Sequence, residues 1–182
     1  MKGVGGGITV VAVAATCVLA VGVPAATAQA VVARVGADEL VATIEAAPPG
    51  RVSDQQIRMI DAGDMNLGVG VVHRPPTTTL SAIQHHKQAE IYRVVEGRGI
   101  LVTSRQMADP RELDPEGATV KTLTGPSAFG TIEGGTSQPV GPGDIVFIPA
   151  GTAHGFSEIT DAITYIVYRI DPDKLVALKA GS

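Results

Sequence analysis

The chain has 182 residues, a formal net charge of −4 and no basic run, so nucleic acid and anionic membrane surfaces are not among its expected partners. Its single cysteine, Cys17, lies in an apolar N-terminal stretch, which excludes disulfides and thiolate chemistry from the rest of the chain. Aromatic residues make up 3% of the sequence, and no stacking platform for sugars or flat rings stands out.

Residues 1–30 read as a secretory signal peptide. Lys2 gives a basic start, residues 8–23 are free of charge, and Ala28 and Ala30 are small at the positions a signal peptidase reads. Ala26 and Ala28 offer a second cleavage site. The expectation is an exported protein, secreted or periplasmic, with no stable membrane span after cleavage. Cleavage removes Lys2 and no acid, so the mature chain is one charge more acidic.

Residues 31–54 form an N-terminal arm with one short helix. Asp38 is placed to cap it, Leu40, Val41 and Ile44 lie inside it, and Pro48 and Pro49 end it. Residues 55–171 then change to short strands punctuated by Gly and Pro. Residues 57–61 are the first strand, with a turn at Ala62-Gly63-Asp64. In residues 66–73, Leu67, Val69, Val71 and His73 share one face by period two, and Gly68 and Gly70 share the other. On the glycine face a neighbouring backbone can come close. Residues 77–86 are extended, 90–96 and 99–103 are strands, and 106–117 read as a long polar excursion. Residues 120–123 read as a strand, 144–148 and 152–156 as two more, and 162–170 as a strong final one. A tail, residues 172–182, opens with a short helix begun at Asp171-Pro172-Asp173. Many short strands and little helix mean a single all-β domain, a sandwich or barrel.

Two stretches carry chemistry. The first runs from His85 to Gly97 and sets His85, His86 and Glu90 within six residues. The second runs from Gly143 to Glu158 and adds His154. Imidazole and carboxylate together suit a divalent metal of intermediate hardness. Alternate strand residues point to one side, so Glu90, Tyr92 and Val94 share a face, and so do His154, Phe156 and Glu158.

These stretches resemble the two motifs of the cupin superfamily. The second is nearly complete: Gly143, five residues, Pro149, Ala150, Gly151, two residues, His154, with Glu158 where asparagine is usual. In the first, six residues separate Glu90 from Gly97, as the family has them. The second-histidine slot fits His86 with the shorter spacing to Glu90, and Gln84 then stands in the first-histidine slot. It fits His85 with the longer spacing, and the first slot then holds Ile83. The family's leading glycine is absent in either alignment. Spacing favours His86, with His85 kept as an alternative or second ligand.

The resemblance implies a double-stranded β-helix, or jelly-roll barrel, over residues 55–171 with short peripheral helices. It implies a metal site drawn from His85, His86, Glu90 and His154, holding Fe, Mn, Ni or Zn with open positions. Gln84 is a weak oxygen donor or an outer hydrogen bonder in that scheme. Tyr92 and Glu158 are the candidates for moving protons. A small-molecule substrate is the expected partner, with a dioxygenase, decarboxylase or isomerase type of reaction. A non-catalytic ligand- or metal-binding module of the cell envelope is the alternative, and a homodimer is the expected assembly.

Overall fold

The computed structural model describes Met1, Gly3 and residues 32–180. Apart from Met1 and Gly3, the expected signal peptide lies outside the described residues. Eleven strands follow one short helix, α1 (Ala37–Glu45): β1 (Ser53–Asp61), β2 (Asn66–Arg74), β3 (Ala82–His85), β4 (Ala89–Glu96), β5 (Gly99–Ser104), β6 (Met107–Glu112), β7 (Ser127–Ile132), β8 (Thr136–Val140), β9 (Ile145–Ile148), β10 (Ala153–Ile159) and β11 (Ile163–Asp171). They form a five-stranded sheet in the order β1-β2-β11-β4-β9 and a six-stranded sheet in the order β6-β7-β3-β10-β5-β8. The pairings within both sheets are antiparallel.

The chain crosses between the sheets at each step from β2 to β5 and again from β8 to β11. This winding makes an all-β jelly roll, and the space between the sheets is the barrel interior. Period-two alternation fills it. Val72, Tyr92, Val94, Ile148, Ile163, Tyr165 and Val167 enter from the five-stranded sheet; Leu101, Val140, Phe156 and Ile159 enter from the six-stranded one.

On β2 the inward face belongs to Gly68, Gly70, Val72 and Arg74. Leu67 is 39% exposed on the other face. The glycines are required there: a Cβ on Gly70 would stand 2.7 Å from the Gln55 carbonyl oxygen, and one on Gly68 would press on the Gln56 and Arg169 side chains. His73 therefore lies on the outer face, with Nδ1 3.0 Å from the Thr164 hydroxyl, which donates to Glu96. Gly97 turns β4 into β5 at φ +76°, where a Cβ would collide with the Ala162 carbonyl at 1.8 Å.

Four local expectations are corrected. Asp38 sits inside the first turn of α1, where an acid suits the helix dipole, and Gly36 occupies the cap position with no side-chain bond. Residues 120–123 are not a strand: Val120–Thr124 is one π-helical turn. The excursion at 106–117 contains β6, which pairs with β7. The described part of the tail, residues 172–180, forms no helix. Asp171 accepts the Val176 N–H, the Asn66 amide donates to the Val176 carbonyl, and Lys179 bridges to Met59. These bonds, two of them to the distant strands β1 and β2, outweigh one turn of marginal helix. Among the described residues, no helix is long and apolar enough to cross a membrane.

Candidate metal centre

β3 and β10 are neighbours, with His154 opposite Ile83 and Ala153 opposite Gln84. The Gly151 N–H donates to the His85 carbonyl at 2.7 Å, and the Gln84 amide donates to the Gly151 carbonyl at 2.8 Å. The Pro149–Gly151 turn is thereby tied to the end of β3. His85 and His154 come side by side, with ring centroids 5.3 Å apart. Gln84 is committed to this turn and points away from the cluster.

Glu90 arrives from the opposite sheet. Its Oε2 lies 3.4 Å from His85 Nε2 and 3.4 Å from His154 Nε2. His85, Glu90 and His154 form a candidate three-residue metal-binding group, with one donor atom from each within 4.8 Å of the others. All three are buried. Two donors about 2.0–2.1 Å from a tetrahedral ion stand roughly 3.4 Å apart, so the spacing fits a transition ion.

The hydrogen bonds around the rings fit the same group. His154 Nδ1 lies 3.0 Å from the Thr152 carbonyl, which can only accept, so Nδ1 carries the proton. His154 Nε2 is left with a bare lone pair, buried and without a hydrogen-bond partner. The Ser127 hydroxyl donates toward the Thr124 and Gly125 carbonyls and so accepts from His85 Nδ1 at 2.8 Å. His85 Nε2 is bare as well. Two lone pairs and a carboxylate then converge on one spot, an arrangement that a cation relieves.

Glu90 is held by further neighbours. Its Oε1 accepts from Arg169 Nε at 3.2 Å and its Oε2 accepts from the Tyr92 hydroxyl at 2.8 Å. Burial pushes the Glu90 carboxyl up, but without an ion, protons taken up on the facing His85 and His154 rings outweigh it together with the Arg169 guanidinium and hold the group well below its ordinary value; an ion bound to the bare nitrogens takes the place of those protons. Arg169 is 1% exposed and also donates to Gln56 and Asp54, so its charge is matched from two sides. Burial, reinforced by the adjacent Glu90 charge, pushes the Tyr92 phenol well above its ordinary value. Tyr92 is therefore a lasting hydrogen-bond donor at the cluster.

His86, favoured on spacing, lies outside the cluster. β3 ends at His85, and His86 is half-exposed with Nε2 2.8 Å from Glu112 Oε2. Neighbouring residues of an extended strand face opposite sides, and no bulge brings His86 back. Glu158 is also outside. Between Phe156 and Glu158 the β10–β5 register slips, and the extra residue turns Glu158 out of the face of His154 and Phe156. It is exposed beside Arg98, Gly99 and Thr160 in a separate surface cleft.

The cluster opens on a cavity of about 450 Å³, lined by His85, Glu90, Tyr92, Ile83, Val72, Phe129, Tyr165, Arg74, Asp54 and Arg169 among others. Ile83 puts an apolar wall where the resemblance has a first histidine. Sequence reasoning missed Arg169, Arg74 and Asp54. Arg169 had a signal: it shares the parity of Tyr165 and Val167 in an otherwise apolar strand. A charge at an inward position of a core strand needs a buried partner.

No family model matches the chain, and no curated protein sequence matches it. Solved structures do. Peruvianin-I, a cysteine peptidase from Thevetia peruviana latex, is 16% identical over 75% of this chain and 76% of its own, with a TM-score of 0.45. The DMSP lyase DddQ from Ruegeria pomeroyi is 22% identical over 77% of this chain and 52% of its own, at 0.41. A Cupin 2 conserved barrel domain protein from Salinispora arenicola is 16% identical over 65% of this chain and 74% of its own, at 0.39. Each is a partial likeness at low identity. The chain's own sheet order and sheet-swapping path make it a jelly-roll barrel, and its two motif segments resemble those of the cupin superfamily.

Proposed function

We propose that this barrel holds one divalent transition metal through His85 Nε2, His154 Nε2 and Glu90 Oε2, and acts on a small molecule that enters the adjoining cavity. The observation that carries the reading is the bare Nε2 of His154, buried without a partner and facing a carboxylate shared with His85. Fe, Mn, Ni and Zn all suit two imidazoles and a carboxylate. Such an ion supplies Lewis acidity or a meeting point for oxygen and substrate.

The chain's own residues do the rest. Ser127 and the Thr152 carbonyl fix the ring orientations. Arg169 occupies Glu90 Oε1 and leaves Oε2 to face the histidines. The Tyr92 hydroxyl holds a proton beside Oε2, where it can be shared with a bound substrate. Val72, Ile83 and Phe129 keep the cavity wall apolar and limit water.

A dioxygenase, decarboxylase or isomerase type of reaction fits this site, and export by the N-terminal segment belongs to the same proposal. The test is turnover of a panel of small carboxylates and hydroxy acids, with and without oxygen, by metal-loaded and chelator-stripped protein. Turnover only in the loaded form supports the reading. Stoichiometric metal without turnover leaves the binding module of the cell envelope. We include a homodimer, through the outer face of the five-stranded sheet where Phe147 is 71% exposed and Ile145 57%. A light-scattering mass of one chain removes that part.

A further inference from the structure

The cavity has a second polar end, away from the histidines. Arg74 enters it from the last position of β2, on the inward face with Gly70 and Val72. Its Nε donates to the Tyr165 hydroxyl at 3.0 Å, and its guanidinium lies 5.8 Å from the Phe156 ring centroid. Among the described residues, neither Nη has a hydrogen-bond partner. The Tyr165 hydroxyl accepts from Arg74, and its own proton has no acceptor among them. Arg74 is half-buried and Tyr165 fully buried, so three donor groups stand at this end of the cavity without a protein acceptor among the described residues, open to an acceptor that enters it.

The charges around the cavity lead the same way. The acids in its lining are Asp54 and Glu90, and both are engaged by Arg169, through Nη2 and Nε respectively. Oδ1 of Asp54 is buried without a partner. Arg74 and Arg169 together offset Asp54 and Glu90, so a divalent ion among the histidines leaves the lining positive by the whole charge of that ion. The two polar ends are close. The Tyr92 ring, whose hydroxyl meets Glu90, lies against the Tyr165 ring with centroids 4.2 Å apart. Val72, Ile83 and Phe129 give the same cavity an apolar wall.

Resting on the metal reading above, we infer that the ligand of this cavity is a short organic carboxylate. Its carboxylate sits on the Arg74 Nη pair and the Tyr165 hydroxyl, and an oxygen at its other end faces the His85–Glu90–His154 group. A planar guanidinium matches a carboxylate with two parallel donors, which a lysine does not reproduce.

Malonate and its neutral diamide, malonamide, are the probes, titrated by calorimetry into zinc-loaded protein whose metal content is measured first. Parent protein is expected to bind malonate more tightly than malonamide. Arg74→Gln is expected to weaken malonate by about tenfold or more at unchanged zinc content, as loss of a charged hydrogen bond does, and to leave malonamide unchanged. Arg74→Lys should fall between. Tyr165→Phe removes only the hydroxyl and should weaken malonate by a few fold; it decides the matter if Arg74→Gln does not fold. Equal malonate affinity in the parent and Arg74→Gln, or equal affinity for the two probes in the parent, overturns the inference. If the parent takes up no zinc, the metal reading fails by itself. Malonate binding to metal-free parent that is lost in Arg74→Gln would still support the carboxylate subsite.

Discussion

Glu90 is the residue on which the site depends, because it is charged, buried and claimed from four directions. Breaking a buried ion pair from one side strands the remaining charge, at about 3–5 kcal/mol. Arg169→Met is therefore expected to lower unfolding stability by that order, read by denaturant titration, because it leaves both Glu90 and Asp54 uncompensated. A loss within about 0.5 kcal/mol would mean that water or a proton replaces the arginine. Tyr92→Phe removes one bond to the same carboxylate and should cost about 1.5–3 kcal/mol while metal content stays that of the parent. Glu90 and His154 could be found from spacing because each stands alone in its motif. His85 and His86 could not be separated that way, since both spacings are allowed. The choice is made by where β3 stops: the His86 N–H goes to the Pro126 carbonyl and its ring turns to Glu112.

At the scale of elements, the turns and inward strand positions set the barrel. Gly97→Ala places a side chain at positive φ against the Ala162 backbone. It is expected to cost on the order of 1–3 kcal/mol or more, seen as a lower Tm, and a Tm unchanged within error would show that the β4–β5 turn relaxes freely. Leu101 is fully buried between the sheets, and Leu101→Ala should cost about 2–5 kcal/mol by the same measurement. Period two was enough to locate β2, β4, β10 and β11, because their inward and outward residues differ in kind. It failed at Glu158, where one extra residue in β10 reverses the parity. The strand reading also failed at residues 120–123, whose β-propensity is overridden by π-helical bonding, and the helix reading failed in the tail, whose backbone is satisfied by Asn66, Met59 and Asp171. Asn66 and Met59 lie more than a hundred residues from the tail, so local pattern carries no trace of them.

Across the whole molecule, the candidate centre joins the two sheets. His85 and His154 belong to the six-stranded sheet and Glu90 to the five-stranded one, so an ion bound among them cross-ties the barrel. An ion that binds only the folded chain stabilises it by about 2.7 kcal/mol at a free concentration a hundred times its Kd. Zinc or manganese should therefore raise the Tm of the parent in proportion to the logarithm of concentration, and should leave that of His154→Ala unchanged. The most direct test is metal content per chain in purified protein, for the parent, His85→Ala and His86→Ala. One transition metal per chain is expected in the parent and in His86→Ala, and loss of that metal in His85→Ala. A parent without stoichiometric metal, or a metal lost with His86 and kept without His85, would contradict that expectation.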